Sequence, residues 1–89
     1  IFKDLTSNKI TLKHKTKGAI LSLKFEDFPY LGIWAKPNAP YVCIEPWHGI
    51  ADADTTNQRI ENKEGIIALK ANSTFTASYS IEIDNRLLV

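Results

Sequence analysis

From Thr74 to Ile83 the chain alternates without a break. Phe75, Ala77, Tyr79, Ile81 and Ile83 fall on one side of an extended backbone, and Thr74, Thr76, Ser78, Ser80 and Glu82 fall on the other. This period predicts a β-strand with one buried and one polar face, as in antiparallel sheets. It also constrains the rest of the fold. Each inward side chain contributes about 1.5–3 kcal/mol when fully buried, less for Ala77. Fixing the backbone costs about 1–2 kcal/mol per residue. The strand therefore cannot stand alone and needs a second layer over its apolar face.

Further strands are read from the same signal. Ile10 to His14 alternates, and Ala19 to Phe25 carries apolar residues at 19, 21, 23 and 25. Thr16-Lys17-Gly18 supplies a turn between them, which predicts a hairpin. Tyr30 to Trp34 is short and apolar, and Lys36-Pro37-Asn38-Ala39-Pro40 forms a stiff loop after it. Tyr41 to Trp47 reads as a strand, and Ile66-Ile67-Ala68-Leu69, introduced by Gly65, as one more. Gly49 to Glu64 is polar without a helical period, so a long loop with at most a helical turn is expected there; loops of that length in compact domains are usually functional or poorly ordered. Asn72-Ser73-Thr74 fits a glycosylation acceptor but reads as a turn. The apolar end Leu87-Leu88-Val89 is expected to pack against material outside this chain. The predicted class is all-β, an antiparallel β-sandwich.

Composition narrows the partners. The chain has 89 residues, with 11 basic and 10 acidic side chains. Near-neutrality gives no electrostatic case for nucleic acid or an anionic membrane. No apolar run approaches the roughly 20 residues of a membrane-spanning helix, and Ile1-Phe2-Lys3-Asp4 lacks a signal-peptide layout. The absence of methionine leads us to expect a processed or cleaved piece of a longer polypeptide. The single cysteine, Cys43, has no internal disulfide partner, so a cytoplasmic location is expected.

The stretch Tyr41-Val42-Cys43-Ile44-Glu45-Pro46-Trp47 carries the chemistry. Pro46 has no N–H to donate, so the strand ends there or lies at a sheet edge. Glu45 then sits at a rim beside Trp47. An apolar wall favours the protonated form of a carboxyl group, which suits proton transfer. Read without further context, the plainer reading of Glu45 is an edge-strand glutamate, solvated or paired with a lysine.

Phe28-Pro29-Tyr30-Leu31-Gly32-Ile33-Trp34, the run from Ala39 through Cys43-Ile44-Glu45-Pro46-Trp47 to Asp52, Lys63-Glu64-Gly65-Ile66 and the alternating final strand together resemble the C-terminal part of the aldose 1-epimerase (galactose mutarotase-like) family, with its bacterial LacX-type branch the closer match. The resemblance covers nearly the whole chain. It implies that residues 1–89 are the C-terminal portion of a single aldose 1-epimerase-like domain, a large supersandwich, and not an independent domain. It implies an isomerase of carbohydrate metabolism that interconverts the α and β anomers of an aldohexose or related sugar, with no cofactor and no metal. Glu45 matches the family's catalytic base. The family's acid is a histidine from the N-terminal part, so that part of the same protein is an expected partner and this chain alone is expected to be inactive. Trp47, beside the base, and Trp34 are candidates to stack on the sugar.

Other residues carry weaker signals. His48 lies three positions from Glu45, but Pro46 disfavours a helix through them, and a loop histidine is the plainer reading. His14, between Lys13 and Lys15, reads as a surface residue; with Lys17 that run suits either phosphate or a solvated hairpin end. Asp52, Asp54 and Asn57 lack the glycine and distal glutamate of a calcium loop. Cys43 reads as inert packing, and Glu61, Lys63 and Glu64 as solvated charges. The alternatives to an isomerase are a non-catalytic carbohydrate-binding β-sandwich, in which Glu45 only hydrogen-bonds a hydroxyl, and a structural module without a ligand.

Overall fold

The computed structural model describes residues 1–87. Its six strands are β1 (Phe2–Lys3), β2 (Lys9–His14), β3 (Gly18–Lys24), β4 (Tyr30–Trp34), β5 (Cys43–Trp47) and β6 (Ser80–Ile83). They form two three-stranded antiparallel sheets, ordered β1-β4-β5 and β2-β3-β6. Apart from the strands, the regular structure among the described residues consists of 3₁₀ turns at Ile60–Asn62 and Asn85–Leu87. This is the all-β, antiparallel class that alternation predicts.

The β2–β3 hairpin forms as expected, with Gly18 at φ +82° where a Cβ would be strained. His14 closes the turn: its Nδ1 accepts the backbone N–H of Thr16 at 3.2 Å and of Lys17 at 3.3 Å. A bulge between Leu12 and Lys13 shifts the register. Residues 36–39 also turn as read. Pro37 is followed by Asn38 at φ 63°, and Ala39 N–H reaches Lys36 O at 3.0 Å, the residue pattern of a type II turn.

Register explains the two faces of the β2-β3-β6 sheet. Ile10 pairs with Leu23, Leu12 with Leu21, and Leu23 and Leu21 in turn with Ile81 and Ile83. These six share one face. Thr11 and Ser22, joined by a 2.8 Å hydroxyl contact, share the other with Glu82. In the β1-β4-β5 sheet, Leu31 and Ile44 lie on the inner face. The core is where the inner faces meet: Leu23, Phe25 and Leu31 are buried, with Ile10, Phe28 and Ile44 packed against them. Phe25 and Phe28 come from the turn that carries the chain from one sheet to the other, closed by Phe28 N–H to Phe25 O at 2.9 Å.

Two expectations are corrected, and one strand is new. The final strand is Ser80–Ile83 alone, because its partner β3 ends at Lys24 and leaves residues 74–79 no ladder to join. Asp27 instead holds the approach, its Oδ2 accepting Ser78 N–H at 2.9 Å. Ile66–Leu69 is not a strand; Ile66, Ile67 and Leu69 are exposed, and no strand among the described residues pairs with them. A short strand at Phe2–Lys3, unforeseen in the sequence, adds to Tyr30 and Leu31. Leu87 is exposed in its 3₁₀ turn, and Leu88 and Val89 lie outside the described residues.

Candidate functional site

β5 is an edge strand, so Pro46 costs no ladder bond and the strand runs through it to Trp47. Alternation then divides the strand. Ile44 faces the core, and Cys43, Glu45 and Trp47 face away from it. Across the ladder Tyr30 pairs with Trp47, Gly32 with Glu45 and Trp34 with Cys43. All three sequence candidates, Glu45, Trp47 and Trp34, therefore share the outer face of one sheet.

Glu45 is half-buried and forms no salt bridge among the described residues. Trp47 follows two positions along the same strand; Trp34 stands diagonally across, 52% exposed and tilted against Tyr41 at a 6.1 Å ring separation. Gly32 is what makes space between them. A Cβ there would lie 3.4 Å from Trp47 Cζ2 and 3.7 Å from Glu45 Cβ, so the indole lies over the glycine beside the carboxylate. The face thus offers an acceptor between two aromatic surfaces. Glu45 lines none of five surface cavities of about 210–540 Å³. The nearest by sequence, a groove of about 490 Å³, begins at Trp47 and is walled by His48, Ile50, Lys63, Glu64 and Ile66.

One wall of this region escaped the sequence reading. Tyr30 is buried and donates its hydroxyl to Glu64 Oε2 at 3.2 Å, and Lys3 Nζ lies 3.5 Å from the same oxygen. Burial, then the Glu64 hydrogen bond and charge, push the Tyr30 phenol above its ordinary range. Glu64 is therefore a structural partner and not simply solvated. Gly65, at φ +80°, is wedged against this pair: a Cβ would lie 2.7 Å from His48 O and 2.9 Å from Tyr30 Cε2. The available signal was a glycine after two charged residues, which does not name a partner 34 positions away. Lys63, also read as solvated, lies 3.6 Å from Asp52 across the loop.

His48 turns to the other side. Its ring packs 4.5 Å from Phe28 and 5.1 Å, edge-on, from Phe75, and Nε2 is buried without a hydrogen-bond partner among the described residues. Phe28 belongs to the core side of the sheet, so His48 does not face Glu45. Cys43 is a free, half-buried thiol on the outer face. Among the described residues no helix is long and apolar enough to cross a membrane.

No protein-family model and no solved structure matches the chain. Two curated relatives do: the plasmid and chromosomal LacX proteins of Lactococcus lactis subsp. lactis, each 32% identical over 82 residues, which is 91% of this chain. The matched segment is 27% of each relative, so this chain is similar to about a quarter of a LacX protein.

Proposed function

We propose that this chain contributes the closing strands of a longer aldose 1-epimerase-like isomerase, with Glu45 as general base and Trp47 and Trp34 as sugar-stacking surfaces. The observation that carries the reading is the placement of Glu45 opposite Gly32, with both tryptophans on its face. The LacX likeness and the family resemblance of the Cys43–Trp47 run support it.

Glu45 takes the proton from the anomeric hydroxyl while an acid protonates the ring oxygen and the C1–O5 bond breaks. The aldehyde turns about C1–C2. The ring oxygen then attacks the opposite face of C1 and returns its proton to the acid's conjugate base, and Glu45 gives its proton back to O1. Both catalysts are restored and no redox partner or metal is needed. Positioned groups of this kind supply about 10²–10⁴-fold each. The acid comes from the rest of the polypeptide, since His48 packs on the other side. The location that suits such sugar chemistry is the cytoplasm.

Polarimetry of the full-length protein with fresh α-glucose and α-galactose tests this. Glu45→Gln is expected to slow equilibration by about 10²-fold or more. A variant as fast as the parent overturns the assignment, and a parent that binds sugar without speeding mutarotation favours the carbohydrate-binding sandwich.

A further inference from the structure

The apolar face of the β2-β3-β6 sheet is only partly covered. Leu23 on this face is 4% exposed beneath the other sheet, whereas its cross-strand neighbour Ile81 is 53% exposed and Ile83 is 45% exposed. Upstream on the same alternation, Phe75 and Tyr79 are also exposed. Six directly paired apolar side chains with a polar reverse face are the pattern of a sheet covered along its full width.

The edge is open as well. Asp84 N–H bonds Ile20 O at 3.0 Å, in register with the β3–β6 ladder. Antiparallel bonding repeats every two residues, so the N–H groups of Glu82 and Ser80 point to β3 and those of Ile81 and Ile83 point outward. A free strand edge beside an uncovered apolar face is a template for another strand. The whole chain is loose: its radius of gyration is 16.5 Å, against about 12 Å for a compact domain of this length.

We propose that β6 is a docking edge, and that its occupant is a β-strand from the remainder of the longer polypeptide, which bonds the outward N–H groups of Ile81 and Ile83 and widens the apolar face that the rest of that polypeptide covers. The argument for that occupant is length: the LacX relatives carry nearly three quarters of their sequence outside the 27% matched here. A second copy of the chain is the competing occupant. The proposal deepens the reading of this chain as the closing strands of a larger domain. Its readouts are physical and need no turnover, so the failure of Glu45 as base leaves it standing.

The test is site-resolved hydrogen exchange on the full-length protein. The amides of Ile81 and Ile83 are expected to exchange within about tenfold of those of Ser80 and Glu82, which bond β3. In the same protein Ile81→Lys is expected to lower the unfolding midpoint, while Glu82→Lys, on the polar face, leaves it nearly unchanged. Three results overturn the proposal: exchange at Ile81 and Ile83 about a hundredfold or more faster than at their neighbours; protection that vanishes on dilution as a dimer dissociates; or equal tolerance of both lysine variants.

Discussion

Gly32 stands directly across the ladder from Glu45, and the hydrogen in place of its side chain leaves room for the Trp47 indole. Carboxylate, glycine and indole form one surface because antiparallel register and period-two alternation put residues 32, 45 and 47 on the same side of the β4–β5 pair.

Enlarging residue 32 separates packing from function. Gly32→Ala places its Cβ 3.4 Å from Trp47 Cζ2, ordinary contact, and is expected to fold with a cost under about 1 kcal/mol. Gly32→Val adds two methyl groups against the indole at a buried position; overpacking of this kind costs about 1–3 kcal/mol. Trp47 should be displaced, with a shift in its fluorescence and, on the proposed sugar-stacking role, weaker sugar binding by the full-length protein. Urea denaturation and fluorescence check both; a valine variant with parental emission would place the indole elsewhere.

Gly65→Ala should be the more damaging glycine change. Position 65 has φ +80°, and the new methyl group would lie 2.7 Å from His48 O, a backbone atom with little freedom to move. The left-handed backbone alone costs a non-glycine residue about 1–2 kcal/mol. The expected result is a lower urea midpoint and faster proteolysis within residues 49–64. Gly49→Ala, whose Cβ meets nothing nearer than 4.0 Å, is the mild comparison.

Tyr30 makes stability depend on alkaline pH. Burial, then the Glu64 hydrogen bond and charge, raise its phenol in the folded chain above the unfolded value of 10.0. A raised folded value means that the stability contributed is fully present below pH 10.0 and is lost as pH rises through the folded value. Glu64→Gln should move this loss to lower pH without abolishing it, because burial is the larger cause. Alkaline titration followed by tyrosinate absorbance, with Tyr30→Phe to assign the step, measures the effect. No movement in Glu64→Gln would show that the carboxylate is not felt at Tyr30.

Local pattern made the hairpin, β4 and the edge placement of β5 legible, because each follows from residues within one or two turns of chain. Gly18 licensed the hairpin turn, and Pro46 announced an edge. Alternation alone puts Glu45 and Trp47 on one side of their strand, but Trp34 joins them only through the β4–β5 register, which no local pattern encodes. Contacts that depend on distant partners were not legible. Ile66–Leu69 has strand composition but no ladder to join, and Thr74–Tyr79 alternates beyond the end of β3. Phe2–Lys3 carries no strand signal and pairs only because β4 offers an edge. The Tyr30–Glu64 contact spans 34 positions, and no local period encodes it.

His48 offers the last separation of structure from chemistry. Its Nε2 is buried between Phe28 and Phe75 without a partner among the described residues. An unsatisfied polar atom of this kind costs about 1–3 kcal/mol. His48→Phe removes it and keeps an aromatic ring in an aromatic setting, with Phe75 and Tyr79 exposed enough to adjust to the larger ring. Residual overpacking offsets part of the gain, so stability should stay level or rise by up to about 1 kcal/mol. The urea midpoint at unchanged slope measures it. Because this ring packs on the core side, away from Glu45, the proposed isomerase reading expects the same variant of the full-length protein to match the parent in polarimetry. A variant as stable as the parent but slow in polarimetry would instead place His48 in the proton relay and require the 48–50 backbone to turn over when sugar binds.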